Sequence, residues 1–321
     1  MNPTALEING TPIAPGEQQR IDLPVARLPT RTLISLPVTA IHGIEPGPKL
    51  WLSAAIHGDE LNGVEIIRRV VERIDPLQLR GAVIAVPIVN VFGFIEQSRY
   101  LPDRRDLNRS FPGSTRGSLA SRLAHLFMSK IVSQSTHGID LHTASNHRTN
   151  WPQIRANLDD PETLACAQAF GPPIVIHSSV RDGSLRQAVA KRGIPVLLYE
   201  AGEALRFDRE AIQVGVEGIF RVMVHLHMLA PGQDRPAPPS RLVRSTHWIR
   251  ASHSGILRTE VELGQRVRPR QRLGFISDAF GDEQFKVTSR QGGIVIGCTR
   301  NPLVSQGDGI IHLAALESPD D

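Results

Sequence analysis

The chain has 321 residues, of which 40% are hydrophobic and 21% are charged, and its formal net charge is +4. This length can form a sizeable core and predicts two domains. The positive charge comes mainly from scattered arginines, so nucleic acid is not an expected partner, and the mild excess favours a small anionic substrate. The two cysteines, Cys166 and Cys298, are far apart in the sequence, so we expect neither a disulfide framework nor a cysteine-bound zinc. Because there is no long apolar stretch and no signal-peptide pattern, we expect a cytoplasmic protein without a membrane partner.

Apolar and alternating segments in the first ninety residues predict strands and one helix. Residues 1–30 are rich in Pro and Gly and form a lead-in with one strand. We then expect, in chain order, a strand over 30–41, a strand over 49–56, a helix over 63–74 and a strand over 81–91. The apolar residues of the helix recur on one side of it: Val64, Ile67, Val70, Val71 and Ile74.

His57 and Glu60 stand where the second of these strands gives way to the helix, a frequent place for functional residues in open α/β sheets. An imidazole and a carboxylate three residues apart on one turn can converge on a divalent metal. With a second histidine from elsewhere they would form a catalytic zinc set that leaves one position open for water. The pair alone is more typical of a polar turn with a surface salt bridge.

The segment 96–117 is a long loop with five arginines and two prolines. A loop of this length inside a compact domain is usually either functional or disordered. Three apolar residues, Leu101, Leu107 and Phe111, are interleaved with its charges and indicate an ordered loop that packs onto the body. Each arginine taken singly also fits a solvated surface loop.

Asp140 and His142 lie on a short predicted strand, 138–143, which follows a predicted helix over 119–132. Alternation along a strand puts both side chains on the same face. His142 is the candidate for the third metal ligand, and Asp140 would then orient its ring. A buried histidine that is satisfied by Asp140 alone is the competing interpretation.

Glu200 directly follows a buried strand in the second half of the chain. Its carboxylate faces either solvent or a functional site. The elements predicted around it are a helix over 157–170, a strand over 173–178, a helix over 185–191, a strand over 194–199 and a helix over 209–229.

Residues 231–239 form a predicted linker, because four of these nine residues are prolines. Beyond it, short apolar runs alternate with glycine turns, a pattern typical of a small barrel or sandwich. We therefore divide the chain into a catalytic part, 1–230, and a small all-β domain, 240–321.

The order of motifs resembles the succinylglutamate desuccinylase/aspartoacylase family, within the zinc-carboxypeptidase fold. The motifs are His57-x-x-Glu60, an arginine-rich loop ending in DLNRSFPG (106–113), DLHT with His142, and Glu200 at a strand end. The resemblance covers residues 45–230 and implies an α/β fold with a mixed sheet flanked by helices.

The C-terminal segments GILRTEVELGQRV (255–267) and GGIVIG (292–297) resemble a barrel-sandwich hybrid of the biotinyl/lipoyl type, as occurs in the predicted-deacylase branch of this family. A carrier domain would need a lysine exposed at a hairpin tip. Lys286 lies within a predicted strand instead, so we expect a structural or interaction role for this part of the chain.

The resemblance implies a zinc site and a catalytic carboxylate. His57, Glu60 and His142 would bind one zinc ion per chain. Glu200 would act as general base towards the attacking water and then as general acid towards the leaving amine.

The resemblance also implies roles for residues of the arginine-rich loop. Asn108 and Arg109 would hold a free carboxylate of the substrate, which a planar guanidinium can bind with two hydrogen bonds. An arginine upstream would polarise the scissile carbonyl. Arg99 is the first candidate for this role, and Arg104 and Arg105 are alternatives.

The implied activity is that of a zinc-dependent amidohydrolase that removes an acetyl-type or succinyl-type group from an N-acyl amino acid or related small molecule. Two alternatives remain. A metallocarboxypeptidase would use Arg109 to hold the C-terminus of a short peptide, and a catalytically silent binding protein would keep the fold without turnover. The sequence leaves a homo-oligomer open.

Overall fold

The computed structural model describes residues 6–179, 181–232 and 236–316 of the chain. The helices are α1 (Asn62–Arg73), α2 (Val91–Ile95), α3 (Leu119–Lys130), α4 (Pro161–Phe170), α5 (Leu185–Ala190) and α6 (Arg209–His225). The strands are β1 (Leu6–Ile8), β2 (Thr11–Ile13), β3 (Glu17–Arg27), β4 (Leu33–His42), β5 (Glu45–Ala54), β6 (Arg80–Val86), β7 (His137–Ala144), β8 (Arg148–Ala156), β9 (Ile174–His177), β10 (Val196–Glu203), β11 (Arg241–Val243), β12 (Thr246–Arg250), β13 (Gly255–Thr259), β14 (Arg266–Val267), β15 (Arg272–Ser277), β16 (Gln284–Thr288), β17 (Gly293–Thr299), β18 (Leu303–Val304) and β19 (Gly309–Ala314).

A thirteen-stranded mixed sheet runs through the molecule, with the main order β12-β19-β17-β8-β10-β7-β5-β6-β4-β3. Its middle strands, β6, β5, β7 and β10, are parallel to one another, and β4 and β8 flank them in the antiparallel sense. Helices α1, α4 and α6 cover one face, and α3 and α5 cover the other. The predicted fold, a mixed sheet flanked by helices, is confirmed.

The parallel strands are apolar almost throughout because both of their faces are covered by helices. In β5, Leu50 and Leu52 point into the core beneath α1, α4 and α6, whereas Trp51 points into the opposite core. All three side chains are fully buried. Burial of each such side chain contributes about 1.5–3 kcal/mol, so this strand is anchored firmly from both sides.

Several predicted boundaries were wrong. The strand expected over 81–91 ends at Val86, because Asn90 caps a short helix instead, with its Oδ1 accepting a hydrogen bond from the Gly93 amide at 2.9 Å. The described part of the lead-in, residues 6–30, contains three strands rather than one. Glu200 lies inside β10 and not after its end.

Strand β8 was not predicted. It pairs with β10 on one side and with β9 and β17 on the other. Pro152 stands in the middle of this strand. Because proline cannot donate to a ladder, it weakens the strand signal in a sequence.

The described residues beyond 240 are all-β, as predicted. Strands β13, β15, β16 and β18 form a separate antiparallel sheet, while β12, β17 and β19 extend the main sheet. The C-terminal strands join the sheet at two places: residues 297–299 of β17 pair with residues 148–150 of β8, and β11 pairs with β9. Because residues 233–235 lie outside the described part of the chain, the division at 231–239 stays a prediction. Within the described ranges, no helix is both long and apolar enough to cross a membrane.

Candidate active site

His57 lies on the turn between β5 and α1, and this turn packs tightly against the rest of the molecule. A Cβ atom at Gly58 would stand 1.9 Å from the carbonyl carbon of Gly93 in α2, so only glycine fits there. The Glu60 amide donates a hydrogen bond to the carbonyl oxygen of His57 at 3.2 Å. This tight turn brings the two side chains to the same side.

His142 is held by a chain of hydrogen bonds across neighbouring strands. Its Nε2 donates to Asp140 Oδ2 at 2.8 Å, and Asp140 Oδ1 accepts from the Ser53 hydroxyl, also at 2.8 Å. The Trp51 indole in turn donates to the Ser53 hydroxyl at 3.2 Å. All four side chains are buried, so the orientation of the His142 ring is fixed.

Glu60 lies between the two histidines. Its Oε1 is 2.7 Å from His57 Nδ1, and its Oε2 is 2.8 Å from His142 Nδ1. The carboxylate is 1% exposed. One ligand atom from each of the three residues lies within 4.8 Å of the other two, so the cluster can hold a metal ion.

Two further observations fit a metal ion at this cluster. Glu60 Oε2 is buried and has no hydrogen-bond partner, although His142 Nδ1 is near. Both histidines turn Nε2 towards an aspartate, since His57 Nε2 faces Asp106 Oδ1 at 3.3 Å. With an aspartate beside each Nε2, both histidines present Nδ1 to the side of Glu60, where a cation could be held, as in many metal sites.

The charges within the cluster compensate one another. Burial acts to lower the pKa of His57, but the carboxylates of Glu60 and Asp106 outweigh it and raise that pKa. Burial opposes charge on His142 in the same way, and Asp140 and Glu60 raise its pKa well above the usual range. Burial alone would raise the pKa of Glu60, but the two histidines lower it far below its usual value, so this carboxylate is ionised.

Arg99 lies beside the cluster, whereas the two alternative arginines do not. Its Nη2 donates to Asp106 Oδ2 at 2.9 Å, and its Nη1 is 3.9 Å from Glu60 Oε1. Arg104 and Arg105 are exposed, and neither lines the cavity around the cluster.

Asn108 and Arg109 form a 3-10 turn that Asp106 caps, with its Oδ1 accepting from the Asn108 amide at 2.8 Å. The side-chain oxygen of Asn108 accepts a hydrogen bond from the Leu185 amide at 2.9 Å. Arg109 is exposed and donates to the carbonyl oxygen of Asn108 at 2.6 Å. Both residues line the same cavity as the His–Glu–His cluster.

Glu200 in β10 pairs in register with His142 in β7. Because the two strands are parallel neighbours, both side chains lie on the same face of the sheet. The ladder shifts register after Glu200, where Gly202 adopts a positive φ of 74°. Asn150 Nδ2 donates to Glu200 Oε2 at 2.7 Å, and Arg155 Nη2 lies 3.5 Å from the same oxygen.

One cavity of about 250 Å³, a size suited to a small molecule, is lined by all the predicted site residues: His57, Glu60, Arg99, Asn108, Arg109, His142 and Glu200. The cavity has further lining residues that the sequence analysis did not single out: Arg148, Asn150, Arg155, Arg181, Arg186 and Trp248. Trp248 comes from β12, so the C-terminal strands supply part of the wall. Its ring stacks on buried His312 at 4.5 Å and lies under the Arg148 guanidinium at 4.8 Å.

A sequence profile of the succinylglutamate desuccinylase/aspartoacylase catalytic domain matches residues 46–226, more than half of the chain. The chain belongs to the succinylglutamate desuccinylase/aspartoacylase family. The member from Halomonas elongata named N-alpha-acetyl-L-2,4-diaminobutyric acid deacetylase is 27% identical over 294 residues, which cover 88% of this chain and 86% of that protein.

Solved structures of similar proteins have the same fold. The succinylglutamate desuccinylase/aspartoacylase of Rhodobacter sphaeroides has a TM-score of 0.82 and 28% identity, covering 94% of this chain and 96% of that one. The product-bound ectoine utilization protein EutE (DoeB) of Ruegeria pomeroyi has a TM-score of 0.84 and 20% identity, covering 98% and 100% of the two chains. The latter similarity concerns the fold alone.

Proposed function

We propose that the protein is a zinc-dependent amidohydrolase that removes an acyl group, of the acetyl or succinyl type, from an N-acyl amino acid or a related small molecule. The observation that carries this proposal is the buried His57–Glu60–His142 cluster with Glu200 beside it in one small cavity. The deacetylase name of the Halomonas elongata relative supports the same class of reaction.

The residues fit zinc by their chemistry. Two imidazoles and one carboxylate are the ligand set of several catalytic zinc sites, which leave one position open. Bound there, zinc would polarise the scissile carbonyl and lower the pKa of a water molecule.

The protein's own groups would then move the proton and hold the substrate. Glu200 would accept a proton from the attacking water and deliver it to the nitrogen of the leaving amine. Arg99, fixed by Asp106, would donate to the carbonyl oxygen as negative charge develops on it, a role worth about 3–4 kcal/mol in comparable sites. Asn108 and Arg109 would hold the free carboxylate of the substrate.

The experiment that tests this function is amine release from a panel of N-acyl amino acids, each also supplied as its C-terminal amide, with and without a chelator. We expect hydrolysis that requires both the metal and the free carboxylate. Equal hydrolysis of the amides would remove Arg109 from substrate binding. Cleavage of dipeptides in preference to N-acyl amino acids would favour the carboxypeptidase alternative.

A variant of Asp140 tests the metal site without replacing a proposed metal ligand. Asp140→Asn should weaken zinc binding by about 10–100-fold, because the amide holds the His142 ring less firmly and makes it a weaker ligand. Ser53→Ala, which removes one hydrogen bond to Asp140, should have a smaller effect in the same direction. Competition with a chelator measures both, and unchanged affinity in Asp140→Asn would contradict the assignment.

A cytoplasmic location stays a prediction, and the question of a homo-oligomer stays open.

A further inference from the structure

A second group of potential metal ligands lies away from the cavity. His137, Glu162 and Cys166 each offer one ligand atom, and these three atoms lie within 4.8 Å of one another. None of the three residues lines the cavity of the candidate active site. The group combines an imidazole, a carboxylate and a thiol, and these are the donor types that bind zinc in proteins.

Two elements of the fold bring these ligands together. Glu162 and Cys166 are four residues apart on α4, so their side chains lie on one face of the helix, one turn apart. His137 is the first residue of β7, and its side chain points to the same face of the sheet as Ile139, the face that α4 covers. His142 lies five residues further along β7, which corresponds to about 16 Å. The group is therefore at the opposite edge of the parallel strands from the candidate active site.

Hydrogen bonds at Thr136 determine which nitrogen of His137 carries the proton. The Thr136 hydroxyl donates its one proton to the carbonyl oxygen of Lys49 at 3.1 Å and accepts from the Lys49 amide at 2.9 Å. The same oxygen lies 2.9 Å from His137 Nδ1, so Nδ1 is the donor of this contact. In a neutral imidazole, Nε2 then has no proton and can bind a metal.

The free Nε2 of His137 faces a carboxylate. It lies 3.3 Å from Glu162 Oε1. Two acceptor atoms at this distance repel each other unless a cation lies between them. Burial, which outweighs the nearby Glu162, holds the pKa of His137 below its usual range and disfavours a proton as that cation. Ligands that are each bound to a tetrahedral zinc at about 2.0–2.1 Å stand about 3.3–3.4 Å apart, which matches the separation of these two atoms.

Cys166 completes the group with a soft donor. It is 3% exposed, and burial, with the carboxylates of Glu162 and Asp160 as further causes, raises the pKa of its thiol to about 12. The free thiol is therefore protonated and unreactive at neutral pH. A divalent metal would displace this proton, and the thiolate and the Glu162 carboxylate would together balance its charge.

We propose that His137, Glu162 and Cys166 form a second metal site, which binds a zinc-type divalent ion and ties the start of β7 to α4. The site shares no residue with the cavity and does not depend on the proposed deacylase function. The sequence analysis expected no cysteine-bound zinc, because His137 is 25 residues away from Glu162 and only the folded chain brings the two together.

The second site is open to solvent. The side chain of Glu162 is 52% exposed, so a water molecule can take the fourth position and the metal can exchange. We expect this site to bind more weakly than the buried His57–Glu60–His142 cluster and to empty on dialysis against metal-free buffer. Metal analysis of dialysed protein then counts the catalytic site alone.

Titration with Co²⁺ tests the second site, because this ion occupies zinc sites and its absorption spectrum reports the ligand type. A thiolate bound to Co²⁺ gives an intense charge-transfer band in the near ultraviolet, whereas imidazoles and carboxylates do not. The cluster of His57, Glu60 and His142 has no thiolate and cannot give this band. We expect the band in wild-type protein, saturating at one Co²⁺ per chain, and we expect His142→Ala to retain it.

Variants of the two cysteines connect the band to the site. Cys166→Ala should abolish the band, and Cys298→Ala should keep it. Cys298 is the matched control, because it is also buried but belongs to no group of three potential ligands among the described residues. The Cys166→Ala background also isolates the catalytic site in zinc titrations.

Glu162→Gln tests the site if Cys166→Ala does not fold, because Glu162 is a half-exposed residue on the surface of α4. It should weaken Co²⁺ binding at the thiolate by about tenfold or more, as for changes at or near metal ligands. Glu210→Gln is its control, since Glu210 is an exposed acidic residue in the first turn of α6, as Glu162 is in the first turn of α4.

Absence of the band in a large excess of Co²⁺ would overturn the second site. A band that survives in Cys166→Ala, or that is lost in Cys298→Ala, would also overturn it. Equal weakening by Glu162→Gln and Glu210→Gln would remove Glu162 from the ligands and contradict the site as assigned. Because the band is measured without turnover, the second site is tested separately from the deacylase function.

Discussion

Glu200→Gln should lower kcat by about 10²–10⁴-fold and leave the zinc content of the protein unchanged, because it removes the group that accepts the water proton. The substitution preserves size, and the new amide oxygen can still accept the hydrogen bond that Asn150 donates to Glu200. KM should change little, since the carboxylate acts on the reacting water and the leaving amine and not on the parts of the substrate that are recognised. Steady-state kinetics together with metal analysis of the same sample measures the effect.

Glu203→Gln is the matched control for this variant. Glu203 lies on the same strand, does not line the cavity, and pairs with Arg206 at 3.8 Å. Its loss should leave kcat within about twofold, as expected for a surface ion pair. If Glu200→Gln kept full activity, Glu200 would have no role in proton transfer, whatever the metal content.

His142→Ala should abolish stoichiometric zinc and with it the activity. It removes one of three proposed protein ligands. The loss of zinc affinity should therefore exceed the roughly 10–100-fold loss expected when a residue that hydrogen-bonds to a ligand is replaced. It also leaves the buried Glu60 carboxylate with one fewer positive partner, which should lower the melting temperature. Metal analysis after dialysis, followed by titration with zinc, gives the remaining affinity.

His42→Ala controls for the removal of a buried imidazole. His42 is 4% exposed, like His142, and its Nδ1 donates to the carbonyl oxygen of Ile13 at 2.7 Å, away from the cavity. This variant should lose stability and keep its zinc. Unchanged zinc in His142→Ala would mean that the cluster assigned here is not the metal site.

The cluster could be predicted from the sequence because its signals are local. His57 and Glu60 share one turn, and Asp140 and His142 alternate on one strand. Such patterns survive errors in element boundaries, as the example of Glu200 demonstrates. It was expected after a strand and lies within one, and its side chain still lines the cavity because it pairs in register with His142 on the neighbouring strand.

The rest of the cavity could not be predicted because its residues come from distant segments with weak local signals. Asn150 and Arg155 lie on β8, a strand that was not predicted because the proline in its middle weakens the strand pattern of the sequence. Arg186 looks like an ordinary charge on a short helix, and only the folded chain reveals that it is buried. Trp248 follows the predicted linker, and nothing nearby in the sequence connects it with His57.

The pairing of β17 with β8 also bears on how the protein is made. During synthesis, strands β3 to β10 leave the ribosome before β17, and residues 148–150 of β8 then lack the partners that residues 297–299 later provide. An unpaired strand edge is a site for aggregation, and docking of the last strands removes this one. Because β12 is held through β19 and β17, the wall that contains Trp248 is completed only when these last strands have docked.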